Sequence, residues 1–148
     1  MKFSVLATTL GIATFVSAQG TRIGSPAAGA NVKLGAPVTI QIIRNNGLQA
    51  STEVGMALCF LSCPTSAGAV CPPPTSELGD CPFVGMFQPT TLLPKNAGEY
   101  ENITVTAPGS DESFPAGRAQ LAEVRLHLIG GGPEPILEIN NITINMVN

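Results

Sequence analysis

Apolar residues recur at every second position through most of this chain, the period that lays one face of a β-strand on a core. Over residues 37–44, Val38, Ile40 and Ile42 alternate with Thr39, Gln41 and Ile43. Over residues 53–61, Val54, Met56, Leu58 and Phe60 form one face, and Gly55, Ala57 and Cys59 the other. Over residues 100–107, Ile103 and Val105 oppose Asn102, Thr104 and Thr106. The longest run, residues 117–129, sets Ala122, Val124, Leu126 and Leu128 against Glu123, Arg125 and His127. It predicts a central strand with the first set on the core and the second in solvent. Residues 119–128 also contain good helix formers, but the polar positions alternate and Gly130-Gly131-Gly132-Pro133 ends the run.

The last segment, residues 136–147, changes parity. Leu137 and Ile139 are followed by Ile142, Ile144 and Met146. A bulge at Asn140-Asn141 would restore a single inward face and leave Asn141, Thr143 and Asn145 in solvent. Shorter pieces complete the pattern. Residues 21–35 carry Ile23, Pro26, Gly29, Val32 and Gly35, read as a short strand, a turn and a second extended piece. Residues 83–87 form a short strand broken by Gly85. Residues 62–82 and 88–98 are loops, the first containing Pro72-Pro73-Pro74, which cannot form a backbone ladder. About seven short strands between Gly/Pro turns predict an all-β fold, an antiparallel immunoglobulin-like β-sandwich with one long disulfide-stapled loop. A closed barrel is the alternative.

The first residues do not fit this pattern. Lys2 precedes an apolar stretch from Val5 to Val16 and the small-residue end Val16-Ser17-Ala18. That is the form of a signal peptide, and a dozen apolar residues are too few to span a ~30 Å hydrocarbon core. Residues 1–18 therefore read as a signal peptide and residues 19–148 as a single sandwich domain, secreted and extracellular, with possible association to a cell wall. No apolar tail follows residue 142, so no lipid anchor is expected.

Charge narrows the partners. Charged residues make up 11% of the chain. Removing Lys2 with the leader leaves six basic against ten acidic residues, a net charge of −4. Neither nucleic acid nor an anionic membrane is an expected partner. Cys59, Cys63, Cys71 and Cys81 lie close together, and an even number of cysteines in a secreted chain reads as two disulfides. Three pairings are open; the nested one, Cys63 with Cys71 inside Cys59 with Cys81, is favoured. The sequons at Asn102 and Asn141 are candidate glycan sites, each predicting an outward-facing asparagine.

The candidates for chemistry are few. His127 is the only possible imidazole base, and it falls on the predicted solvent face. With four oxidised cysteines no thiolate remains. Glycoside hydrolysis needs two carboxylates across a cleft, and Glu99 with Glu101, or Asp111 with Glu112, are the nearest pairs. Copper-dependent polysaccharide oxidation would need an N-terminal histidine, where the mature chain has Gln19. Ser110, Asp111 and Glu112 are the place to look for calcium, although a solvated acidic turn explains them as well. No catalytic residue, metal or cofactor is expected. Stacking of sugars is limited to Tyr100 and Phe114, since Phe60, Phe83 and Phe87 belong to core stripes. The stapled loop with Pro72, Pro73 and Pro74 is the best candidate interaction surface, because a tied, proline-stiffened loop costs little entropy to order on contact.

Two resemblances bear on this reading. The series Ile23-x-x-Pro26-x-x-Gly29-x-x-Val32-x-x-Gly35-x-x-Val38-x-Ile40 resembles the N-terminal immunoglobulin-like domain of fungal Ser/Thr-rich cell-wall proteins of the β-1,6-glucan-assembly type. The chain lacks that family's Trp after the second strand, its Ser/Thr-rich stalk and its anchor tail. Over its full length it is similar to a family of small secreted proteins of basidiomycete fungi. The matching features are the Cys-Pro pieces, Gln88-Pro89, Asn102-Ile103-Thr104, residues 126–133 and Asn141-Ile142-Thr143. This second resemblance implies secretion and fold and brings no mechanism. The expected function is binding by a monomeric, non-enzymatic fungal protein, to wall polysaccharide or, effector-like, to an extracellular host protein. An inhibitor of an extracellular hydrolase, or a hydrolase itself, is the alternative.

Overall fold

The computed structural model describes residues 20–47, 50–66, 68–109 and 114–148. The signal-peptide segment and the Ser110, Asp111 and Glu112 turn lie outside them. The described residues form nine strands: β1 (Thr21–Ser25), β2 (Asn31–Lys33), β3 (Pro37–Arg44), β4 (Ser51–Ser62), β5 (Asp80–Gly85), β6 (Thr91–Leu92), β7 (Glu99–Thr106), β8 (Gly117–Ile129) and β9 (Glu134–Val147). One sheet has the order β1-β3-β7-β6 and the other β2-β9-β8-β4-β5. Together they make the expected sandwich. The extra strand beyond the sequence-based pattern is the two-residue β6, inside the loop that follows residue 87. All pairings are antiparallel except β2 with β9.

The core is built from the predicted alternation of β3, β4 and β7. Ile40 and Ile42 of one sheet meet Leu58 and Phe60 of the other, all 0% exposed. Leu121 of β8 and Ile144 and Met146 of β9 complete the layer. Burying such side chains contributes roughly 1.5–3 kcal/mol each, and β-branched residues suit the pleated surface. Phe60, Phe83 and Phe87 pack in or against the core as expected. Phe114 does too: at 6% exposure it is a core residue and not the surface aromatic that the sequence suggested.

The two longest strands depart from expectation. In β8 it is Glu123, Arg125 and His127 that face the interior, in line with Leu121, while Val124, Leu126 and Leu128 face out. No bulge interrupts β9. Its register against β8 runs unbroken from Gly117↔Met146 to Ile129↔Glu134, so Glu138 and Asn140 share the inward face of Ile142 and Ile144. Leu137 and Ile139 share the outward face of Asn141, Thr143 and Asn145. Both strands change character at one level, where Glu123 pairs with Asn140 and Ala122 with Asn141. A ladder preserves the facing of side chains unless a residue is inserted. The only break opposite β8 is in β4, between Glu53 and Gly55, which turns Val54 out of its stripe to 43% exposure.

Candidate functional site

At the switched end of the sandwich the interior is ionic. Arg125 is wholly buried on β8, between β4 and β9. Its Nε and Nη2 donate to the two Glu53 oxygens at 2.7 and 2.6 Å, and its Nη1 donates to Glu138 Oε2 at 2.9 Å. The guanidinium also lies 5.7 Å from the centre of the Phe87 ring. Arg44 crosses from the other sheet, donating to Glu53 at 3.1 Å and pairing with Glu99. Burial pushes the Glu53 carboxyl up, but hydrogen bonds and charge from Arg125 and then Arg44 outweigh it and hold its pKa below the usual value. Burial lowers Arg125 in turn, and Glu53 and Glu138 reverse this so that its pKa is raised.

A second group sits beside it. Glu123, 0% exposed, accepts the Thr21 hydroxyl at 2.6 Å and an Asn140 amide proton at 3.2 Å. The Thr21 backbone N–H donates to Glu138 at 2.7 Å, so the first strand is fastened through these carboxylates to the opposite sheet. Burial raises the Glu123 pKa to about 7; the two hydrogen bonds oppose the rise and the Glu138 charge adds to it. His127 is 2% exposed, and its Nδ1 has no partner among the described residues. Burial first and Arg125 next hold its pKa below normal. This buried imidazole corrects the expectation of an exposed one.

The raised Glu123 pKa has a measurable consequence. An acid whose pKa is higher in the folded chain adds stability that is full below the unfolded value of about 4.5 and is lost as pH rises through about 7. The wild type is expected to lose on the order of 2–3 kcal/mol of stability relative to Glu123→Gln between pH 4.5 and 8. Taking the difference cancels the opposing contributions of Glu53 and His127. Urea unfolding at several pH values tests it, and a difference independent of pH would refute a buried, protonatable Glu123.

At the other end, the stapled loop folds back on the outer face of the five-stranded sheet. The pairing is nested, Cys59–Cys81 with Cys63–Cys71 inside it. Gly79 closes the base at φ +74°, where a Cβ would stand 2.2 Å from the Phe60 carbonyl oxygen, so only glycine fits. Two β8 side chains hold the loop from below. Arg118 Nη2 donates to the carbonyls of Pro64 at 3.1 Å and Ala69 at 2.6 Å, and Gln120 Nε2 donates to that of Pro72 at 3.3 Å. Beneath it Cys59, Leu61, Gln120 and Ala122 are buried. The loop is therefore a lid over half of one sheet face. It displays Val70, 83% exposed, next in sequence to Ala69, which with Pro64, Thr65, Ser66, Gly68 and Arg118 lines a hollow. Pro73 is exposed and Pro72 and Pro74 are half-buried.

The remaining sequence candidates are dispersed. Asn102 and Asn141 are both exposed, on the outer faces of opposite sheets. Tyr100 is half-buried and pairs with Ile43 and Thr91, and with Phe114 internal no second exposed aromatic accompanies it among the described residues. Glu99 is committed to Arg44, while Glu101 accepts the Gln88 backbone N–H at 2.6 Å. Sequence reasoning missed the inward Arg125, Glu53 and Glu138, and also the clasp residues Arg118 and Gln120. The coincident parity change in β8 and β9 was the available signal for the former.

A two-sheet sandwich with an ionic plug at one end and a doubly stapled lid at the other is a rigid scaffold that displays a loop. Two disulfides are compatible with an extracellular protein. The chain belongs to the Nis1 family, whose family model matches residues 16–145. No curated protein matches it.

Proposed function

We propose that this protein is a secreted, non-enzymatic fungal protein that binds another extracellular protein through the loop between Cys63 and Cys81. The observation that carries the reading is Val70. It stands 83% exposed on the small ring closed by Cys63–Cys71, two of whose carbonyls are clasped by Arg118. An apolar side chain held out on a loop that is already ordered gains contact area at small entropic cost. Polysaccharide is the weaker ligand, because Tyr100 alone makes no platform for sugar rings. His127 is buried, its Nδ1 without a partner among the described residues, and the acidic side chains of the plug are engaged by Arg125, Arg44 and Thr21; both support binding over hydrolysis.

The test compares the mature wild type with Val70→Asp in capture from host extracellular fluid, with chitin, β-1,3-glucan and β-1,6-glucan in parallel sedimentation. Capture of a defined protein by the wild type, weakened about tenfold or more in the variant, is the expected result. Equal capture by both would remove the loop from the interface. Saturable retention on one polymer, with no protein captured, would replace this reading with wall binding.

A further inference from the structure

We infer that the uncovered half of the five-stranded sheet is the docking face for a second copy of this chain, related by a two-fold axis. The parity change that places Arg125 and Glu138 inside puts apolar residues outside at the same level. Val124 and Leu126 of β8 lie beside Ile139 and Leu137 of β9, to which they are paired. Along the sheet edge, Val84 and Met86 stand 78% and 49% exposed, and Leu137 is 62% exposed. The hollow they enclose is lined by apolar residues and glycines alone, with no charged side chain. The mature chain's net charge of −4 is carried elsewhere, so two copies meet here without burying a charge.

The surface is shaped to receive its own copy. Gly55 and Ala57 of β4 face outward between the β8 ridge and the ridge made by Val84 of β5 and Met86 just beyond it. A β-carbon added at Gly55 would meet only the Gly85 carbonyl, at 3.8 Å, so a groove runs along β4 beside a parallel ridge. A two-fold operation lays each ridge in the other copy's groove, the self-complementary arrangement an isologous interface requires. Aligned sheet-on-sheet packing supplies the geometry. The patch amounts to roughly 500 Å², near the upper range for a monomer. Two such faces bury on the order of 1,000 Å², the lower bound of a specific interface. The dimer is therefore weak and concentration-dependent. Its residues are distinct from Val70 and the stapled loop, so its test reads out separately from that of the binding reading above.

Sedimentation equilibrium of the mature secreted protein, before and after enzymatic removal of N-glycans, tests this together with the Val84→Lys/Leu137→Lys variant. Both positions are exposed enough for lysine to be tolerated, and unchanged circular dichroism and thermal midpoint verify the fold. A second variant, Met86→Lys, guards against loss of the first. The expected result is a weight-average mass that doubles with concentration in both glycoforms of the wild type and stays monomeric in the variants. Three outcomes would overturn the proposal: a wild type monomeric at millimolar concentration, a dimer that the lysine variants retain, and dimerisation only after deglycosylation. The last would make a glycan on Asn141, two residues along β9 from Ile139, the true cover of this face.

Discussion

Arg125→Ala is expected to lower the free energy of unfolding by about 3–5 kcal/mol, the range for removing one partner from a buried ion pair. Arg125 is 0% exposed and satisfies both oxygens of Glu53 and one of Glu138. Its loss leaves Glu138 without a cation and Glu53 with Arg44 alone. The damage comes from the carboxylates left behind and less from the lost attraction, which only repays the cost of dehydrating the ions. The combination Arg125→Met, Glu53→Gln, Glu138→Gln should therefore recover most of the stability lost by the single change. Urea denaturation of both proteins at pH 7 checks it. A single variant within about 1 kcal/mol of the wild type, the value of an exposed pair, would mean that water reaches the cluster.

The second large effect is expected at Cys59–Cys81. Its cysteines are 22 residues apart, and on the chain-entropy account a loop of that length stabilises by about 3.5 kcal/mol, against about 2.5 kcal/mol for the eight-residue separation of Cys63–Cys71. Tertiary context widens the gap. Cys59 and Cys63 are both buried, so a serine hydroxyl is costly in either variant, but replacing Cys59 and Cys81 also frees the lid from Leu61 and Ala122. Replacing Cys63 and Cys71 leaves the lid's base closed and Gln120 still bonded to Pro72. The first double variant should thus unfold at a markedly lower temperature than the second. The reverse order in calorimetry would show that the inner ring, and not the base, holds the lid down.

The inner ring has a separate consequence for binding. In the Cys63→Ser/Cys71→Ser protein the fold persists but Val70 loses its fixed position, so partner capture should fall while the thermal midpoint moves modestly. The two disulfides then divide stability and recognition between them, which Val70→Asp alone cannot show.

Much of this architecture was readable from the residues. Period-two alternation located β3, β4, β7, β8 and β9, because a strand with one buried face must alternate. The crowding of four cysteines around a proline-rich stretch pointed to a stapled loop, because a long structureless excursion must be tied down. Local pattern also placed Asn102 and Asn141 in solvent. The facing of β8 and β9 was a different matter. Over residues 122–128 the local majority says that leucine and valine go inward, and that reading is wrong. The correct choice is set farther along the same strands, where Leu121 and Ile144 meet Phe60 and Ile42. A continuous ladder carries that choice through to Glu123, Arg125 and His127.

Whether such a polar interior is tolerable depends on partners that no window of β8 contains. Glu53 comes from β4, Arg44 and Thr21 from the opposite sheet, and Glu138 and Asn140 from the neighbouring strand. Their convergence on one point is a property of sheet order and register. The sequence by itself determined the strands, the staple and the exposed sequons, because each is a short-range consequence of backbone period, cysteine number or turn chemistry. Only the tertiary structure decided which face of the long strands is inside, because a buried charge is admissible only where its counter-charges arrive from other elements. The exposed apolar face on the far side follows from that decision.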